Sequence, residues 1–253
     1  MFTAIDHLVV VVKDLEKAIE DYGAMGFTVV RGGRHNIGTH NALIAFADGS
    51  YVELIAFLNP VGGHPWYAAL SRGGGLVDFC MRTDDLEADA EAMRRAGVPM
   101  GESTAMTRDR PDGYRLKWVL SIPGACNGRV PFLIRDETPR DERVPRDRSH
   151  RNGVTGLRSL TIAVEDPTAS SVPYARVLNR PGAPIQRPEL DAAGARFVIG
   201  PHAVDLVAPK RGEGPLVDWL GERGQSPCAA MLSGPPGLRL DPASTAGARF
   251  SVG

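Results

Sequence analysis

The chain has 253 residues, 43% hydrophobic and 23% charged, with 29 basic and 30 acidic residues and a net charge of −1. That balance suits one large globular domain or two small ones, with a core that needs no disulfide scaffold. It argues against a nucleic-acid binder, which carries a basic excess or stripe, and no stretch approaches the roughly 20 apolar residues of a membrane span.

Ile5 to Val12 is β-branched and nearly all apolar, which predicts a buried strand. Its apolar run is too short for a secretory leader, and Asp6 and His7 precede it. Asp14 then reads as a helix N-cap, followed by Leu15, Ala18, Ile19, Tyr22 and Met25 at helical spacing and a stop at Gly26. Phe27 to Val30 is a second expected strand, and Arg31 to Asn36 a glycine-containing turn. Strands over 41–47 and 51–57 follow, joined at Asp48-Gly49. The order strand, helix, strand, strand, strand then recurs. Leu76 to Arg82 is a strand, Asp84 with Glu87 a capping box, and Leu86, Ala90 and Met93 a helical stripe closed by Gly97. Strands near 114–122 and 129–134 complete the unit. Residues 135–152 carry six arginines and five acids with few apolar residues, so this charged linker is expected to be solvated.

After the linker the first unit returns. Leu8 aligns with Leu160, Val12 with Val164, Asp14 with Asp166, Tyr22 with Tyr174, Val52 with Val204, Leu54 with Leu206 and Ala56 with Ala208, all at one offset. A constant offset over about fifty residues argues for duplication. The expected organisation is residues 1–135 with two βαβββ modules, a linker over 136–153, and residues 154–253 as a degenerate repeat whose last module is truncated. Trp66 and Trp219 fall in similar connecting helices. The three cysteines, Cys80, Cys126 and Cys228, are widely spaced without a CxxC pair. They are expected to be reduced, with Cys80 and Cys228 as buried strand residues, in a cytoplasmic protein.

The segments IDHLVVVVKDL, GFTVVRGGRHNIGTHNALIAF, YVELIAF, GYRLKW, VPFLIRD and SHRNGVTGL resemble the glyoxalase-like branch of the vicinal oxygen chelate superfamily over roughly residues 3–210. The resemblance implies an α+β fold in which tandem βαβββ modules form curved mixed sheets around a concave small-molecule cleft. It also implies that any metal ligands come from the first and last strand of each module. The superfamily spans isomerases, lyases, dioxygenases and non-catalytic binding proteins, so fold alone does not give the reaction.

Residue by residue, His7 and Glu53 are the sharpest pair. A carboxylate inside the apolar run Tyr51 to Phe57 is costly to bury unless it is paired or bound to a metal. Imidazole with carboxylate suits a single divalent ion such as Zn, Ni, Mn or Fe, and a buried His–Glu hydrogen bond is the plain alternative. In the second module Asp78 takes the place of His7, and Phe132 or a neighbour that of Glu53. In the third, Ser159 and Asp205 stand there, and in the fourth Ala229 or a neighbour. The expected metal set is therefore His7, Glu53 and Asp78, with Glu53 also the catalytic carboxylate. His35, Thr39 and Asn41, in the polar cluster RHNIGTHN, and Arg115, sharing a strand face with Lys117 while Trp118 faces the other way, are expected to contact substrate. His150 and Asn152 follow the linker, where a fold-back over the cleft is the hypothesis. Gly73-Gly74-Gly75 lacks a dinucleotide-loop context and no GxSxG occurs. Two functions follow. One is a divalent-metal-dependent lyase, isomerase or dioxygenase acting on a small oxygenated substrate; the other is a metal-free protein that binds or sequesters a small molecule. Neither membrane nor nucleic acid is an expected partner, and a monomer and a homodimer are both compatible with the sequence.

Overall fold

The computed structural model describes residues 2–124 and 128–253; Cys126 lies outside them. The first module is β1 (Ala4–Val11), α1 (Leu15–Ala24), β2 (Val30–His35), β3 (Thr39–Ala45) and β4 (Tyr51–Phe57). A short helix α2 (Pro65–Ala69) leads to the second: β5 (Gly75–Arg82), α3 (Leu86–Arg95), β6 (Thr104–Asp109), β7 (Arg115–Ser121) and β8 (Phe132–Asp136). The connector carries the turn α4 (Arg140–Arg143). The third module is β9 (Gly156–Ala163), α5 (Pro167–Leu178), β10 (Ala183–Arg187), β11 (Ala192–Ile199) and β12 (His202–Pro209). After α6 (Pro215–Arg223), the fourth keeps only its first strand, β13 (Ser226–Ser233), and a short β14 (Phe250–Val252).

Each module's helix starts on an aspartate whose side chain accepts from the first-turn amides. Asp14 accepts from Lys17 N, and Asp166, its repeat partner, from Thr168 N and Ala169 N. In the second module the cap is Asp85, bonded to Ala88 N, one residue beyond the expected Asp84, so no capping box with Glu87 forms. Among the described residues no helix is long and apolar enough to cross a membrane.

The strands of the first two modules close a barrel in the order β1-β4-β3-β2-β6-β7-β8-β5. Two seams join the modules. β1 lies antiparallel to β5, and β2 antiparallel to β6 through Arg34↔Asp109 and His35↔Arg108. Two strand assignments change here. The stretch expected as a turn, Arg31 to Asn36, is mostly β2, and the second module's missing strand is β6. β2 is bulged at its glycines. Gly33 has φ +132°, and a Cβ there would lie 1.9 Å from Asp109 O. Only glycine allows β2 to approach β6 and shut the barrel.

Alternation divides the barrel strands between two cores. Leu8 and Val10 of β1 face outward, into a cluster with the helices and the second sheet; Val9 and Val11 face inward with Cys80, Leu116, Trp118 and Phe132. Residues 156–252 form an open six-stranded sheet, β10-β11-β12-β9-β13-β14. Its registers repeat the barrel's: Val9 pairs with Glu53, and Thr161 with Asp205. The halves share the outer core and are tied by Ile5 N to His202 Nδ1 at 3.0 Å and Leu157 N to Asp48 Oδ2 at 2.7 Å.

Candidate functional site

The barrel encloses a cavity of about 360 Å³, lined mainly by apolar side chains, including Trp66, Met106, Trp118 and Phe132. It deepens along β6 and β7. Thr104 and Ile122 are exposed near the mouth, with Ile37 beside them, while Arg108 and Leu116 lie buried below. His7, Tyr51, Glu53, Arg108, Arg143 and His35 make up its polar end.

β1 is bulged between Ile5 and His7, which lets the consecutive side chains Asp6 and His7 meet. His7 Nδ1 lies 2.8 Å from Asp6 Oδ1. Burial pushes the Asp6 carboxyl up, but Arg143, the His7 bond and Arg140 outweigh it and hold it well below the usual range. An ionised carboxylate only accepts, so Nδ1 carries the proton and Nε2 faces the cavity. The imidazole stacks on Tyr51 at 4.6 Å, and Nε2 is 3.5 Å from Glu53 Oε2.

Glu53 is 7% exposed. Burial raises its pKa, yet the neighbouring His7 and His35, the Asn41 hydrogen bond and Arg108 together bring it below the usual value, so the group is ionised. Asn41 Nδ2 donates to Glu53 Oε1 at 2.5 Å. His35 Nε2 is 3.7 Å from the same oxygen, while its Nδ1 contacts Thr39 Oγ1 at 2.8 Å. Burial pulls His35 down to about 4, overriding the attraction of Glu53, so the ring is neutral at pH 7. Thr39 and Asn41 therefore stand behind the cavity wall as supports of His35 and Glu53.

Asp78 lines the same wall as Glu53, two strands away. Val9 pairs with Glu53 on one side and Asp78 on the other, so the two carboxyls point inward from strands two spacings apart, roughly 10 Å between Cα atoms. Asp78 accepts from Phe79 N at 2.8 Å and Trp66 Nε1 at 3.0 Å. Burial nevertheless pushes its pKa up to about 7. The structure does not bring the three expected metal ligands together. Val9 lies between Asp78 and Glu53, Oε1 of Glu53 accepts from Asn41, and the Phe132 position offers no donor. Among the described residues no group of three His, Cys, Asp or Glu is arranged to hold an ion.

Arg115 does not reach the cavity. It is exposed and paired with Asp109 at 2.6 Å, because Leu116, Trp118 and Leu120 take the inner face of β7. The cations inside are Arg108, from the unread strand β6, and Arg143, from the linker. Each module needs three strands after its helix, and that count alone pointed to one between Pro99 and Tyr114. The linker is not solvated throughout. Arg143 is 2% exposed and uses all five N–H groups on Asp6, Asp136 and Tyr51. His150 does not fold over the cleft: Thr28 N donates to its Nδ1 at 3.0 Å, Nε2 meets Ala45 O at 3.1 Å, and Phe27 and Phe46 pack edge-on against it.

Paired βαβββ modules closing on a cavity with inward carboxylates and imidazoles define the vicinal oxygen chelate architecture. A family model described as a glyoxalase-like domain matches residues 5–178, and the chain belongs to that family. A hypothetical protein from Staphylococcus aureus superposes with a TM-score of 0.70 at 14% identity, covering 98% of each chain. A mutant 4-hydroxymandelate synthase from Streptomyces coelicolor superposes with a TM-score of 0.63 at 16% identity, over 92% of this chain and 71% of that one. A xylose isomerase-like TIM barrel/4-hydroxyphenylpyruvate dioxygenase fusion protein gives 0.54 at 12% identity, over 92% and 36%. At these identities the likeness is one of fold. No curated protein matches the sequence.

Proposed function

We propose that the chain is an enzyme that moves a proton on a small oxygenated substrate, an isomerase or lyase of the glyoxalase-like type. The observation that carries this reading is the pair of carboxyls facing one cavity from either side of Val9, with their acidities pushed apart. An ionised carboxylate and one that keeps its proton to about pH 7 in a shared apolar site are suited to act as base and acid. Glu53 takes a proton from the carbon beside a carbonyl. The C–H electron pair becomes a C=C bond as the carbonyl π pair moves onto oxygen, and the resulting oxyanion lies at the polar end of the cavity, in the field of Arg108. Protonation of the carbon by Asp78, from a second direction, completes an isomerisation, and exchange with solvent returns both carboxyls to their starting states. Loss of a β-substituent instead gives a lyase. Thr39 and Asn41 keep His35 and Glu53 in place, and every proton is carried by a side chain of the chain itself.

Incubation in D2O with a panel of 2-oxo acids and 2-hydroxy ketones, followed by proton NMR, tests the reading. Wild type is expected to exchange the α-hydrogen of at least one compound, and Glu53→Gln to abolish exchange while still binding it. Binding without exchange in wild type would make the chain a sequestering protein; exchange that survives Glu53→Gln would remove Glu53 as the base.

A further inference from the structure

We propose that Arg108 is a carboxylate receptor, and that the substrate is a small monoanionic organic acid whose apolar body points toward the cavity mouth. This rests on the reading of the cavity as a substrate site and names the class of molecule it takes.

Arg108 is 3% exposed and lines the deep end of the cavity. Its Nη2 donates to Arg143 O at 2.8 Å, but its Nε is buried with no hydrogen-bond partner. Among the described residues no carboxylate forms an ion pair with it. A buried guanidinium in that state is costly unless something supplies an acceptor. The neighbouring Arg143 makes the contrast: its five donors are all used on Asp6, Asp136 and Tyr51. Arg108 alone is left to meet a ligand, and a planar guanidinium fits a planar carboxylate.

The same features limit the ligand's charge and shape. One available cation with ionised Glu53 close by disfavours a dianion such as a phosphate monoester. Above Arg108 the walls are Met106, Trp118, Trp66 and Phe132, which suit a ring or branched chain. Ile37 and Ile122, 48% and 49% exposed, rim the opening and extend the apolar path. Arg108 sits opposite His35 across the β2–β6 seam, so the bound carboxylate lies beside the Glu53 end of the cavity.

Titration calorimetry with benzoate, phenylacetate and 3-phenylpropionate, each against its own primary amide, tests the assignment. At least one acid is expected to bind wild type about tenfold or more tighter than its amide, the scale of a charge-assisted hydrogen bond. Arg108→Gln, checked by circular dichroism, is expected to bind acid and amide alike, and Arg108→Lys to recover part of the preference. No acid preferred over its amide in wild type overturns the proposal, as does a preference that survives in folded Arg108→Gln. If Arg108→Gln fails to fold, the wild-type comparison and Arg108→Lys still decide. The acid preference is expected to persist in Glu53→Gln, so loss of the proton-transfer reading leaves a different signature.

Discussion

Replacing Arg143 by Met removes the cation that holds the connector to the barrel floor. Asp6 is wholly buried and would keep only Arg140 and His7 as partners. Breaking a buried pair from one side costs about 3–5 kcal/mol; with Arg140 still in place the lower end applies, about 3 kcal/mol. For a chain of this size that is roughly 6–12 °C in Tm. The loss should depend on pH. The folded pKa of Asp6 is depressed in wild type, so its contribution is complete above the unfolded value near 4 and fades as pH falls through the lower folded value. In Arg143→Met the largest depressing influence is gone and burial raises the group. The deficit against wild type is therefore greatest at neutral pH and shrinks below about pH 4. Differential scanning calorimetry of both proteins from pH 3 to 7 reads this directly. Asp6→Asn/Arg143→Met should recover part of the loss, since the uncompensated charge has gone. A deficit independent of pH, or a double variant as unstable as the sum of the singles, would refute the electrostatic account and leave packing as the cause.

Two further outcomes follow from the polar end of the cavity. His35 stays neutral in the fold to about pH 4, while the unfolded chain takes up a proton near 6.5. Folding stability is thus full above 6.5 and declines as pH falls toward 4, by about 3 kcal/mol from this group. His35→Gln should flatten that part of the stability curve, and an unchanged slope in urea titrations would contradict the burial argument. Elemental analysis of untagged wild type and His7→Ala should find no stoichiometric first-row metal in either. One equivalent in wild type, lost in the variant, would instead establish a metal centre at His7 and displace the metal-free proton-transfer scheme.

The duplication, the outer core and the module helices were legible because they rest on apolar periodicity and aspartate caps. The strands read poorly were β2 and β6, the two that close the barrel beside the site. Their inward positions include His35 and Arg108, and β2 carries the glycines of a bulge, so neither shows the alternating apolar pattern of a strand. A strand that lines a polar site loses the signature that would reveal it. Glu53 stands out as a charge within an apolar run, His7 as its imidazole partner in the first strand, and Asp78 by holding the His7 position of the second module; all three line the cavity. Arg143 was not, since its burial depends on partners more than 90 residues away in Asp6 and Tyr51.

The second half shows what the site requires. The fourth module lacks the strands that would pair with β10, so the sheet stays open and cannot enclose a cavity. At the position of Glu53 stands Asp205, wholly buried and bonded by Arg196 at 2.7 Å and by Arg187, which also reaches Ser159 Oγ at the position of His7. One carboxylate position thus serves two purposes, and substitution should separate them. Asp205→Asn leaves two arginines short of their anion and should cost about 3 kcal/mol in thermal or urea unfolding, with acid binding and proton exchange unchanged, because the cavity is lined only by residues between His7 and Arg143. Glu53→Gln should show the reverse: modest change in stability, because the buried charge it removes is opposed by its own desolvation, and loss of exchange. An Asp205→Asn protein that folds normally but has lost exchange would mean that the two halves act as one catalytic unit, contrary to the separation inferred from the open sheet.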